Sequence, residues 1–452
     1  MPSADLVIKN ATLVTSNLTF RAGIAVTDGV ISSVASNEHL PSAQKIVDAS
    51  GLYVLPGIID SHVHLRDPGF TYKEDFSTGT MAAAAGGVTC VFDMPNNNPP
   101  IKSVEALEEK LEVVRRKAVV DYGFYALLGA GNLHDLAGLS RSGVIGFKCF
   151  LTEALQVEPP EDGEVLEDFA EVARLKRRVT VHAENDSIVK YRVRDLKERK
   201  RGDANAHLES RPAVAEEEAV NRTITYARES GCKVNIAHLS SERSVEAVRL
   251  AIGRRENVTA ETCPHYLLLD SARYEELGSL MKVNPAIRTP TDRAALWEGL
   301  RDGTIGIITS DHAPQAEEEK RKPMIFDCLS GISGLETMVP LMLTQVNKGL
   351  ISITEFVKLS SENPARTWEV FPRKGCLNVG SDADFTIIDM KKRVKISAES
   401  FMSKAKWSPF DGYEATGVPV FTIVRGKVVM ERGSVDHKPK GEMVSPVAQP
   451  PE

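Results

Sequence analysis

The sequence predicts an eight-stranded α/β barrel carrying a small β domain built from both chain ends, and three observations lead to it. Apolar, β-rich segments alternate with stretches of helical periodicity through the middle of the chain, eight such segments can be counted, and short alternating strands with turn residues gather near the two ends. Strands covered by helices on both faces read as continuous apolar runs, and eight of them close a barrel of the (β/α)8, or TIM, type.

Residues 1–55 are expected to give the first part of a small β-sandwich, because 5–10, 23–26 and 30–35 alternate apolar and polar positions around turns such as Asp28-Gly29. Residues 56–370 are expected to form the barrel, with strands at 57–64, 87–94, 122–128, 143–150, 178–184, 233–239, 257–262 and 305–311. Helical periodicity fills the intervals at 104–117, 215–229, 244–254 and 293–301. Residues 151–175 lack a clean period and 191–209 read as a charged insertion, so both are expected as lid or rim structure. Residues 371–436 return to alternation, as in 383–389 and 418–424, and complete the β domain. Residues 437–452, polar and proline-rich, are expected to be a loose tail or a surface strap.

A chain of 452 residues with 42% hydrophobic side chains suits a globular protein with a large core. Its net charge of −7 is spread without long blocks, which offers neither a basic stripe for nucleic acid nor a polybasic membrane anchor. A small polar or anionic metabolite is the expected partner. No apolar run approaches a membrane span and the first residues lack the pattern of a secretion leader, so a cytoplasmic location is expected. The six cysteines have no CxxC spacing and read as reduced core thiols.

The chemistry sits at the strand ends. His62 and His64 are two residues apart on a strand, so both imidazoles face one side and can reach one ion. Pro68 and Gly69 stop the strand just beyond them, at the edge where α/β barrels carry their active sites. An isolated HxH is a weak signal; its weight comes from Lys148 on the fourth strand, His182 on the fifth, His238 on the sixth and Asp311 on the eighth. Singly, a strand histidine is hydrogen-bonded, an aspartate caps a helix and a lysine snorkels. Together they converge on one barrel mouth. Four imidazoles and a carboxylate suit Zn²⁺, with Mn²⁺ and Co²⁺ compatible on ligand chemistry. Two ions need a bridging anion, which Lys148 supplies if its ε-nitrogen is carboxylated, and such a pair lowers the pKa of a shared water. His39, His134, His207 and His437 fall outside this set and are expected to be solvated; His265 is expected at the rim, and His312 is expected to orient Asp311.

The order HxH, Lys, His, His, Asp on such a barrel, flanked by a split β domain, resembles the amidohydrolase superfamily, specifically its cyclic amidase branch, over almost the whole chain. The resemblance implies two Zn²⁺ per subunit, with His62, His64 and Asp311 on the more buried ion, His182 and His238 on the other, and carboxylated Lys148 between them. Within the branch, His64-Leu65-Arg66-Asp67-Pro68-Gly69 and Met94-Pro95-Asn96 resemble dihydroorotases, whose arginine and asparagine bind the substrate carboxylate. That implies Arg66 and Asn96, and a guanidinium is the group best shaped for bidentate carboxylate recognition. Lys282-Val283-Asn284-Pro285 and Ser333-Gly334-Leu335-Glu336-Thr337 are similar to the same family and imply Asn284 as a contact to the ring amide, helix capping and turn formation being the alternatives for the two asparagines.

Two departures stand beside this. After Asp311-His312-Ala313-Pro314 the dihydroorotase pattern has a substrate-contacting histidine, whereas this chain has Gln315, which donates a hydrogen bond but carries no charge. Glu261-Thr262-Cys263-Pro264-His265-Tyr266 and Ser210-Arg211-Pro212 resemble allantoinases instead. The activity implied overall is interconversion of L-dihydroorotate and N-carbamoyl-L-aspartate in pyrimidine biosynthesis, with a metal-bridged hydroxide as nucleophile and Asp311 as general acid/base. The competing readings are an allantoinase and a non-catalytic dihydropyrimidinase-like scaffold; the complete ligand set argues against the second. A homodimer and association with aspartate carbamoyltransferase are expectations from the resemblance alone.

Overall fold

Eight strands follow one another in sequence order around one parallel sheet: Ile58–Val63, Val88–Asp93, Asp121–Leu127, Gly146–Phe150, Arg178–His182, Lys233–Ile236, Val258–Thr262 and Ile307–Ile308. They belong to a computed structural model that describes residues 4–447. The last strand is shorter than its apolar run predicts: the Thr309 N–H still donates to Thr262 O at 3.1 Å, and from Ser310 the backbone turns to Asp60. Thr309 Oγ1 donates to Asp60 Oδ1 at 2.5 Å and the Ser310 N–H donates to the same oxygen at 3.1 Å. The ring then closes where the His64 N–H donates to His312 O at 2.7 Å. The architecture is a TIM barrel.

The barrel core is the apolar content of those strands packed against the surrounding helices, with Ile58, Val91, Phe124, Phe147, Val181, Ile236 and Ala260 all buried. The four helices read from periodicity lie at Val104–Val114, Ala213–Ser230, Glu242–Gly253 and Pro290–Asp302. Their ends are local chemistry: Pro290–Asp302 starts at a Thr289/Asp292 capping box with proline in its first turn and stops at left-handed Gly303. Residues 151–175 are more regular than expected, since Asp162–Arg174 is a helix that buries Val165, Asp168, Phe169 and Val172. That spacing is helical, but a buried aspartate at the centre of the stripe hides it from a hydrophobicity pattern. Residues 191–209 likewise contain most of the helix Asp186–Glu198 and then Ala204–Ser210. Among the described residues no helix is long and apolar enough to cross a membrane.

Both chain ends build the second unit, a β-sandwich whose nine strands form one mixed sheet. Ala4–Val14 pairs with Thr19–Thr27, Ala43–Asp48 and Tyr53–Pro56, and Phe385–Lys395 joins Tyr53–Pro56 to Glu414–Val424. Leu6, Ile8, Ile24, Val54, Phe385, Ile387 and Ile423 form its core. Beyond it the chain is a strap rather than a loose tail as far as residue 447: Lys440 and Gly441 N–H groups donate to Ala118 O, and Val444 N–H donates to Tyr122 O at 2.7 Å. Residues 448–452 lie outside the described residues.

One buried ionic cluster ties barrel, sandwich and strap together. Lys374 Nζ lies 2.7 Å from Asp121, 2.9 Å from Asp382 and 2.6 Å from Asp384, Arg425 also pairs with Asp121, and the Glu442 N–H donates to Asp121 at 2.9 Å. Removing the cation leaves buried Asp384 with no cationic partner among the described residues and buried Asp121 with Arg425 alone, so Lys374→Met is expected to destabilise the fold by about 3–5 kcal/mol in equilibrium denaturation. A loss below about 1 kcal/mol would mean that the cluster is worth no more than a surface ion pair.

Candidate metal centre and substrate cavity

The barrel mouth gathers the six residues proposed as ligands, and it aims particular atoms. His62 Nε2 lies 3.5 Å and His64 Nε2 3.4 Å from Asp311 Oδ1, so two imidazole nitrogens and a carboxylate oxygen face one point. Beside them His182 Nδ1 and His238 Nε2 are 3.1 Å apart, and the His62 and His238 ring centroids are 5.1 Å apart. Lys148 is completely buried on the same wall, and its Nζ has no hydrogen-bond partner among the described residues. Asp311, His238 and Arg66 all hold left-handed backbone, with φ of 44°, 35° and 61°. For side chains other than glycine this costs roughly 1–3 kcal/mol each and is a mark of residues whose direction matters.

The outward ring nitrogens are fixed from behind. His62 Nδ1 donates to Glu261, His64 Nδ1 donates to Asn96 Oδ1 at 2.8 Å, and His182 Nε2 donates to Glu184 at 2.8 Å, with Glu184 in turn paired to Arg211. Such bonds set the tautomer and leave the inward nitrogen with its lone pair. Burial lowers all four imidazoles, His62 and His238 far below the usual histidine range and His64 to about 4, so they are neutral at pH 7 and able to ligate. Burial also lowers Lys148 to about 8, which leaves a share of it as a free amine at neutral pH. A neutral amine can add to CO₂, giving a carbamate and releasing one proton, so the donor set fits a two-ion centre with Lys148 as its bridge. His62, His64 and Asp311 would hold one ion, His182 and His238 the other.

The centre opens into a cavity of about 770 Å³ that is lined by all the proposed ligands and by Arg66, Asn96, Asn284 and Gln315. These four are not equally free. Asn96 spends its oxygen on His64 and keeps its amide hydrogens for a ligand. Asn284 Oδ1 accepts from Ser330 Oγ at 3.0 Å. Gln315 is held at both ends: Lys73 Nζ donates to Oε1 at 2.9 Å and Nε2 donates to Ser330 O at 2.8 Å, so one further Nε2 hydrogen remains for substrate. Arg66 is only 3% exposed, its Nε donates to Pro314 O at 3.4 Å, and it forms no ion pair among the described residues.

The other histidines divide. His39 and His134 are solvated, as expected, and His437 is exposed. His207 is not: it is 2% exposed, and its Nε2 donates to Val283 O at 2.8 Å, pinning the Lys282-Val283-Asn284 segment. A helix packed over that loop buries it, which no strand-end pattern could reveal. His312 accepts from the Gly334 N–H at 3.2 Å and faces Glu74 at 3.3 Å, and His265 is buried against Tyr266. Glu261 and Glu184 carried no role in the sequence reading, although an acid within or just past an apolar strand, as in Thr259-Ala260-Glu261 and His182-Ala183-Glu184, is the signal that marks such a support.

Comparison with known proteins gives the family. Residues 53–429 match the Amidohydrolase family. The chain is 42% identical over 414 residues to a dihydroorotase of Methanothermobacter thermautotrophicus, covering 91% of each chain. It is 36% identical over 450 residues to an allantoinase of Rubrobacter xylanophilus, covering 99% of this chain and 98% of that one. An L-hydantoinase (dihydropyrimidinase) structure from Arthrobacter aurescens superposes with a TM-score of 0.95 at 34% identity, covering 98% of this chain and all of the other. The relatives share cyclic amide hydrolysis and differ in the ring they are named for. The chain belongs to the amidohydrolase family, in its cyclic amidase branch, and is a cyclic amide hydrolase.

Proposed function

We propose that the chain is a dihydroorotase, interconverting L-dihydroorotate and N-carbamoyl-L-aspartate. The observation that supports this most is Arg66: a buried guanidinium on the wall of the reaction cavity, next to His64, with no carboxylate in ion-pair contact among the described residues and with Asp311, Asp93, Glu319 and Glu74 acting on it only from further off. Burial lowers it to about 10, still cationic at neutral pH. A buried unpaired charge is costly, and a ligand carboxylate removes the cost. Dihydroorotate brings one; allantoin and unsubstituted hydantoins do not.

The allantoinase-like segments do not weigh against this reading. Arg211 lines the cavity with its guanidinium already engaged by Glu184 behind His182, and Cys263 is a buried core thiol that does not line the cavity. A non-catalytic scaffold has no use for His62, His64 and Asp311 focused on one point with His182, His238 and Lys148 buried beside them.

When bound, a metal pair at this centre supplies Lewis acidity and a water acidic enough to attack an amide at neutral pH. The chain's own residues do the rest. Arg66 and the Asn96 amide hold the substrate carboxylate and so set the ring amide beside the ligands. Asp311 takes the proton of the attacking water and delivers it to the departing ring nitrogen, and the reverse transfer accompanies ring closure. Arg66→Met is expected to lower kcat/KM for L-dihydroorotate by roughly 30- to 1,000-fold, the range for stripping one partner from a buried charge pair. Near-normal dihydroorotate turnover by that variant would overturn the assignment.

A further inference from the structure

The outer half of the cavity has a wall that the reaction chemistry leaves unused. The helix Asp186–Glu198 lies along it and presents Lys190, Arg194 and Lys197, at i, i+4 and i+7, while Lys282 faces the same space from the other side. Lys190 is more than neutralised, 2.9 Å from Asp186, 3.8 Å from Glu158 and 3.9 Å from Glu153. Arg194, Lys197 and Lys282 form no ion pair among the described residues, and the acidic groups lining the cavity are Glu153, Asp186, Glu198 and, at the centre, Asp311.

None of the three has a carboxylate partner among the described residues. The Arg194 guanidinium lies over the Tyr191 ring at 5.4 Å and the Lys197 ammonium over the Phe326 ring at 5.7 Å, contacts that hold each charge in place without neutralising it. Lys282 is 7% exposed and donates to two backbone oxygens, Ile325 O at 2.7 Å and Cys328 O. Burial lowers it to about 8, with Arg211 and Lys197 adding to the shift and Cys328 and Asp327 opposing it. On a chain of net charge −7, the outer wall carries four cations, Lys190, Arg194, Lys197 and Lys282, against three lining acids, Glu153, Asp186 and Glu198.

We propose that Arg194, Lys197 and Lys282 form an outer anion-capture site that draws carboxylate substrates from solvent and passes them to Arg66. This inference rests on the reading of the substrate as an anion. The site acts before chemistry: cations lining a low-dielectric cleft raise the local concentration of an anion, and the gain fades as salt shortens the Debye length. Microscopic reversibility requires kcat/KM in both directions to change by one common factor.

The test uses zinc-loaded full-length protein and Arg194→Gln/Lys197→Gln. Between low and high ionic strength, wild-type kcat/KM for L-dihydroorotate is expected to fall by about 10-fold, the lower end of electrostatic steering, and the double variant is expected to lose most of that dependence. Succinate binding by calorimetry is the second readout, made on wild type, the double variant and Arg66→Met. Succinate should bind Arg66→Met in a salt-sensitive way and bind the double variant several-fold more weakly at low salt. An unchanged salt slope together with unchanged succinate affinity in the double variant would overturn the capture site. Absence of dihydroorotate turnover by wild type, with succinate binding as expected, would count against the dihydroorotase reading and leave the capture site standing.

Discussion

Asp311→Asn is expected to retain bound metal and to lose turnover by about 10²- to 10⁴-fold, the contribution of a positioned general acid/base. The carboxylate lies 3.4–3.5 Å from the inward nitrogens of His62 and His64 and is 4% exposed, so it can touch an ion and a reacting proton at once. Asparagine keeps the shape and one ligating oxygen but cannot accept the proton. Metal content by elemental analysis separates the two roles. A variant that kept its metal and its activity would remove Asp311 from the proton transfer; one that lost both would show a structural ligand only.

Lys148→Ala is expected to lose activity by on the order of 10³-fold or more, beyond the 10- to 100-fold typical of outer supports to a metal site. Lys148 Nζ is buried and has no partner among the described residues, while a chain carrying an unmodified ammonium there would repel both ions. Two further readouts bear on the carbamate. The intact protein mass should carry one added CO₂, and small carboxylic acids should restore part of the activity of Lys148→Ala by filling the vacated space with an anion. Full activity in the alanine variant, or loss with no mass increment in wild type, would contradict a bridging carbamate.

The barrel and the six convergent residues were legible because both follow from short-range rules. An apolar run gives a buried strand, a turn residue ends it, and the side chain at that end must face the mouth, so His62, His64, Lys148, His182, His238 and Asp311 could be placed from the sequence. The supports behind them were less legible. Glu261 reaches the His62 ring from the seventh strand, a relation set by strand stagger, whereas Glu184 holds His182 from two residues further along the chain, where only the burial of its carboxylate marks it as a support. His207 and the Lys73–Gln315 pair depend on how loops fold over the mouth, where neither period 2 nor period 3.6 applies. The helix Asp162–Arg174 went unread because its inward stripe contains Asp168, which donates nothing to an apolar pattern but receives the Gly129 N–H at 2.9 Å. Gln315 shows the reverse: it stands where a resemblance places a charged contact, and the structure shows it clamped by Lys73 and Ser330.

The central claim is that a cyclic amide hydrolase with Arg66 unpaired in its cavity works on a ring that carries a carboxylate. Its most direct test is a parallel assay of zinc-loaded protein with L-dihydroorotate, allantoin and hydantoin, following ring opening in each. The account predicts turnover of L-dihydroorotate above the two neutral rings. Turnover of allantoin or hydantoin with none of L-dihydroorotate would contradict it, and would mean that Arg66 serves something other than a substrate carboxylate.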